Sequence, residues 1–176
     1  MRSEPRPVSQ DEVLLSWYRS ERDVDWQKEH RRPFEQARPD CREQDVANEG
    51  IRYLRGALLQ CRSTTEPFFD VYATAWFAVE ITLDELAGAT AVDCFGLASC
   101  RTVRDVAGIL PALRRTRTSV ATLKYPLLVV SESQDAKLLL LDGYNRAAGL
   151  IHSNETSPIP AYWGVCENLR HWDYHR

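Results

Sequence analysis

The sequence contains no apolar run approaching the roughly eighteen residues that a membrane span requires. Its start, Met-Arg-Ser-Glu-Pro-Arg-Pro, lacks the apolar centre of a secretory signal. Both absences predict a cytoplasmic protein with no membrane partner. There is no C-x-x-C pair: Cys41, Cys61, Cys94, Cys100 and Cys166 are odd in number and widely spaced. That pattern argues against a disulfide framework or a structural zinc site and predicts reduced, mostly buried thiols. Nor is one sign of charge in strong excess, since 22 Lys and Arg against 25 Asp and Glu give a formal charge of −3. A protein that coats nucleic acid is disfavoured by that balance. Basic clusters at Arg31 and Arg32 and at Arg114, Arg115 and Arg117 suit phosphates, but such clusters are more commonly solvated helix ends.

What is present is enough for a real core. A length of 176 residues with 44% apolar composition fits one domain with an appendage. Residues 1 to 8 are short on apolar side chains and rich in charge and proline, so disorder is expected. Ser9 and Glu12 form a capping-box pattern ahead of Val13, Leu14, Trp17 and Tyr18, which predicts a short helix. Val46, Ile51, Leu54, Leu58 and Cys61 keep helical spacing and predict a second. The expected organisation is a helical extension over residues 1–65, packed on an α+β domain over residues 66–176.

From Phe68 to Thr82 the chain is aromatic and β-branched, which predicts two strands, or one with a bend near residues 73–75. Glu80 interrupts that pattern between Val79 and Ile81. It either lies on the wet face of a strand or lines a cleft, where a carboxylate can act as a base. Thr82 and Glu85 are a second capping-box pattern, closed by Gly88. A further helix is expected from about residues 99–102, with Val103, Val106, Ala107, Leu110 and Leu113 on its apolar face. Arg101 and Thr102 then sit at a helix amino end, as caps or as phosphate ligands. Leu127 to Val130 and Leu138 to Leu141 read as buried strands forming a hairpin, and Ala161 to Cys166 as a last strand.

The chemistry-bearing stretch is Leu141-Asp142-Gly143-Tyr144-Asn145-Arg146-Ala147-Ala148. An apolar strand stops at Asp142-Gly143, and a helix capped by Asn145, with Arg146 in its first turn, is expected to follow. A strand, a glycine turn and a helix amino end form a common anion-binding geometry.

Together with Val79-Glu80-Ile81-Thr82-Leu83-Asp84-Glu85-Leu86, Tyr125-Pro126-Leu127-Leu128-Val129-Val130 and Ile159-Pro160-Ala161-Tyr162, this stretch resembles the ParB/sulfiredoxin superfamily over roughly residues 76 to 166. The resemblance implies a small mixed-sheet ParB/sulfiredoxin-like fold flanked by helices, with the turn binding nucleotide phosphates. The sulfiredoxin branch has a reactive cysteine two residues before the motif arginine, where this chain has Tyr144, so its sulfinic-acid chemistry is not expected. The DNA-partition branch has an arginine-rich motif and a following helix-turn-helix domain, for which no room is expected after the last strand. The turn is most similar to the D-G-H-H-R of free serine kinases and related small phosphotransferases: Asp142, Gly143 and Arg146 match, while Tyr144 and Asn145 replace the histidines.

That resemblance implies nucleotide-dependent phosphoryl transfer to a small hydroxyl-bearing metabolite, with ATP or ADP and Mg²⁺ as cofactors. Arg101, Thr102, Gly143, Tyr144, Asn145 and Arg146 are the expected phosphate-binding residues. Asp142 is the expected Mg²⁺ ligand or orienter of the acceptor hydroxyl, and Glu80 the expected base. Two alternatives stay open: a ParB-type nucleotide switch without turnover, linked to DNA partition or modification, and a biosynthetic enzyme of other chemistry on the same scaffold. A homodimer is compatible with each.

Overall fold

The computed structural model describes residues 3–22, 74–91, 101–109, 118–167 and 169. The chain divides into two compact units, Ser9–Phe68 and Met1–Val8 with Phe69–Arg176.

In the first unit the described element is helix α1, Gln10–Arg22. The Glu12 N–H donates to Ser9 Oγ at 3.2 Å, so the first half of the expected capping box is made. Val13 and Trp17 on its apolar side are buried. The second helix expected in this unit, and the strand residues before Thr74, lie outside the described residues.

The second unit carries a mixed six-stranded sheet. In chain order it has β1 (Arg6–Pro7), β2 (Ala75–Ile81), α2 (Leu83–Gly88), β3 (Thr90–Ala91), α3 (Val103–Ile109), β4 (Leu127–Ser131), β5 (Leu139–Asp142), α4 (Tyr144–Ser153) and β6 (Ile159–Val165). The spatial order is β1-β2-β6-β4-β5-β3. β6 pairs antiparallel with β2 and parallel with β4, and β5 pairs antiparallel with β4 and parallel with β3. The α+β class is thus observed, and the expected β4–β5 hairpin forms.

Every residue of β4 is buried, as a continuous apolar strand between two others should be. Around it lie Leu138, Leu139 and Leu140 of the β5 segment, Ile159, Ala161 and Trp163 of β6, and Ala147, Ala148 and Leu150 of α4, all buried. Two local devices complete the packing. Trp163 Nε1 donates to Ser131 Oγ at 2.7 Å and that hydroxyl donates to the Ser133 carbonyl at 2.7 Å, so a buried indole keeps its hydrogen bond. Gly164 lies under the Trp76 ring, where an added Cβ would come within 2.8 Å of the indole.

The expectation of disorder for residues 1 to 8 does not hold over the described residues. Arg6 and Pro7 pair antiparallel with Ala78 and Phe77, and form one edge of the sheet. The missing signal has a physical cause: these residues have no apolar alternation of their own, and their partner strand lies far away in the chain.

Candidate functional site

The turn after β5 is set up by a bulge. Leu128 faces Asp142 and Val129 faces Leu140, so Leu141 is an extra residue opposite β4. A bulge bends the strand end and re-aims the side chain that follows it, here Asp142. Gly143 then takes φ +102, in the left-handed region, and is the N-cap of α4. This corrects the sequence expectation that Asn145 caps the helix; Asn145 is already inside its first turn and exposed. A Cβ on Gly143 would sit 2.6 Å from Leu127 Cδ2 and 3.1 Å from an Arg146 terminal nitrogen, so glycine is required by both angle and space.

Arg146 folds back beneath this turn. One terminal nitrogen donates to the Tyr125 carbonyl at 2.8 Å and the Pro126 carbonyl at 3.0 Å, and the other to Asp142 Oδ2 at 2.7 Å. The pair is half-buried, with the side chains 22% and 18% exposed. The guanidinium therefore ties the entry of β4 to the exit of β5. The Tyr144 hydroxyl, buried, donates to the Leu140 carbonyl at 2.8 Å, which makes the ring part of the core below the turn.

The other expected residues lie elsewhere on the sheet. Thr102 and Asp105 cap α3 reciprocally: Asp105 Oδ2 accepts from the N–H groups of Arg101 and Thr102, and the Asp105 N–H donates to Thr102 Oγ1. Those N–H bonds hold the Asp105 carboxyl below its ordinary range. Thr102 also bridges to Thr90 of the edge strand β3, on the far side of β5. Glu80, at the end of β2, is exposed. It faces Pro160, whose neighbour Ala161 faces Leu127, and Leu128 faces Asp142. Glu80 and Asp142 thus share one end of the sheet but stand three strand spacings apart, roughly 14 Å. The structure groups Asp142, Gly143, Tyr144, Asn145 and Arg146 in one turn; Glu80 stands three strands away, and Arg101 and Thr102 start α3 beside β3, the strand next to β5.

A cavity of about 430 Å³ lies beside Glu80, lined among others by Ser3, Thr82, Asp84, Asn154 and Glu155. Its far wall is the turn after α4. There Asn154 takes a left-handed conformation at φ 51 as the helix C-cap. The Glu155 carboxylate accepts from the N–H groups of Val120, Thr156 and Ser157 at 2.8, 2.9 and 3.0 Å. These bonds, that from Ser157 foremost, lower its pKa to about 2. Ser3, Glu155 and this turn carry no motif in the sequence beyond the polar run Asn154-Glu155-Thr156-Ser157-Pro158.

Among the described residues there is no group of three or more His, Cys, Asp or Glu able to hold a metal ion. Asp142 fits Mg²⁺ only in the mode in which one carboxylate and the ligand's own phosphates share it. No helix among those residues is long and apolar enough to cross a membrane. Comparison of the chain with family models, curated proteins and solved structures gives no match.

Proposed function

We propose that this chain is a cytoplasmic nucleotide-binding protein of ParB/sulfiredoxin type, that the amino end of α4 receives the phosphates, and that its activity is phosphoryl transfer to a small hydroxyl-bearing metabolite. One observation carries the reading: α4 starts on a left-handed glycine after a bulge, and no side chain caps it. The first four N–H groups of an α-helix lack an intrahelical acceptor, and the dipole there favours an anion. Arg146 supplies a rigid cation at the same end, paired with Asp142. Asp142 would hold Mg²⁺ together with the ligand's own phosphates, where the ion would supply charge neutralisation, and Arg146 would face the phosphate. Glu80, roughly three strands away along the same end of the sheet, serves as the base only for an acceptor bound beside it.

That separation favours a second reading, a nucleotide-binding switch without turnover. Thermal-shift measurements with ATP, ADP, CTP and GTP in Mg²⁺ test the binding common to both, because a ligand specific to the folded state raises its apparent stability. No shift with any of the four would reject both. The site itself is tested by Asn145→Asp, which adds a carboxylate to the exposed first turn. A negative charge there suits the helix dipole but repels phosphate, so the unliganded Tm should be kept and the nucleotide shift lost. Release of ADP or AMP with candidate hydroxy-acids and amino acids then separates the kinase from the switch.

A further inference from the structure

Residues 3 to 8 hold the outer edge of β2 over a short paired stretch. The Ser3 N–H donates to the Glu80 carbonyl at 3.0 Å, the Glu80 N–H donates to Ser3 Oγ at 2.8 Å, and the Val8 N–H donates to the Trp76 carbonyl at 3.1 Å. Between these ends only Arg6 and Pro7 pair with the strand. Glu4, Pro5, Arg6 and Pro7 are all exposed, so the segment covers little apolar surface. The opposite edge of β2 is different in kind: all seven of its residues pair with β6, and the Phe77 and Trp163 rings meet at 5.7 Å.

The Val8 bond also sets which way each peptide group points. In an antiparallel pair successive residues face the partner alternately. Arg6 and Val8 therefore turn their peptide groups to β2, and Pro7 turns its own outward. Proline has no N–H, so the outer edge of β1 offers no donor at that position. By the same alternation Trp76, Ala78 and Glu80 face β1, whereas Phe77, Val79 and Ile81 face β6.

We propose that residues 3 to 8 form a releasable strap that lets go of β2 while the rest of the sheet stays closed. Release frees both peptide groups of Glu80 from Ser3 and removes one wall of the cavity that Ser3 and Glu80 line. It also bares the peptide groups of Trp76, Ala78 and Glu80 to solvent. The strap thus gates the cavity.

Residue-resolved amide exchange of the full-length protein tests this, because sub-global opening exposes only the amides that face the released element. The Ala78 and Glu80 amides should exchange at least about tenfold faster than those of Val79 and Ile81. Ser3→Pro, which removes both the N–H and the hydroxyl, should widen that gap and leave Val79 and Ile81 unchanged. Equal exchange of the two sets in the unaltered protein would overturn the proposal, as would a Ser3→Pro variant in which both sets accelerate together.

Discussion

Arg146→Ala separates a structural clamp from a surface charge. The substitution removes three hydrogen bonds at 2.7, 2.8 and 3.0 Å and takes the guanidinium from Asp142, whose side chain is 18% exposed. Bonds to a charged group contribute about 1.5–3 kcal/mol each when buried, and stranding one member of a fully buried ion pair costs about 3–5 kcal/mol. Water reaches both partners here, so these figures are upper bounds and do not add. A loss of about 2–4 kcal/mol follows, well above the ~1 kcal/mol ceiling of an exposed pair. Urea unfolding followed by tryptophan emission reads it, since Trp76 and Trp163 are 4% and 2% exposed in the sheet-bearing unit. The midpoint should fall with an unchanged slope. In a double-mutant cycle with Asp142→Asn the two residues should couple by about 1 kcal/mol or more. A loss below about 1 kcal/mol, or additive single changes, would refute the clamp and return Arg146 to the role of a spare cation. The functional consequence is direct: nucleotide affinity of Arg146→Ala must be measured below its own unfolding transition, or lost folding will pass for lost binding.

Gly143→Ala forces a side chain into φ +102 and against Leu127, so a loss of about 2 kcal/mol in chemical denaturation is expected, and an unchanged midpoint would refute the required glycine. For Glu155 the folded pKa, about 2, lies below the ordinary 4.5, so its contribution is present above the ordinary value and is lost as pH falls towards 2. The Tm gap between the unaltered protein and Glu155→Gln should therefore be constant near neutrality and shrink between pH 4.5 and 2; a gap that persists at the acid end would contradict the assigned bonds. Glu80→Gln should keep the nucleotide thermal shift and lower phosphoryl transfer by about 10²-fold or more, and full turnover would dismiss Glu80 as the base.

The elements that could be read from sequence are those whose cause is local. The Thr82–Glu85 capping box is made as expected, with the Glu85 N–H donating to Thr82 Oγ1 and the Thr82 N–H to Glu85 Oε2. The hairpin of β4 and β5 followed from two apolar runs around a polar turn. The misreadings have non-local causes. The cap of α4 moved from Asn145 to Gly143 because Leu127 and the Arg146 guanidinium occupy the space a side chain would need. The two carbonyl partners of Arg146, Tyr125 and Pro126, lie about twenty positions earlier and leave no mark in the motif. For Glu80 the two-residue side-chain period of a strand leaves the wet face open, and the residue is exposed between the buried Val79 and Ile81.

The placement of β6 governs how the sheet can assemble. It is the last described strand in the chain, yet it lies between β2 and β4 and is the only link between them in the spatial order. Ile81 must wait for Ile159, and Leu127 for Ala161, before either strand gains that neighbour. Such distant pairings put folding on the slow side, in the millisecond to second range typical of non-local topologies. During synthesis β2 and β4 emerge with their central partner still missing, which leaves apolar edges open to wrong pairing. A nascent chain stopped before Ile159 has no means of joining the two halves of its sheet, so arrest there should yield an aggregation-prone product and not a smaller folded domain.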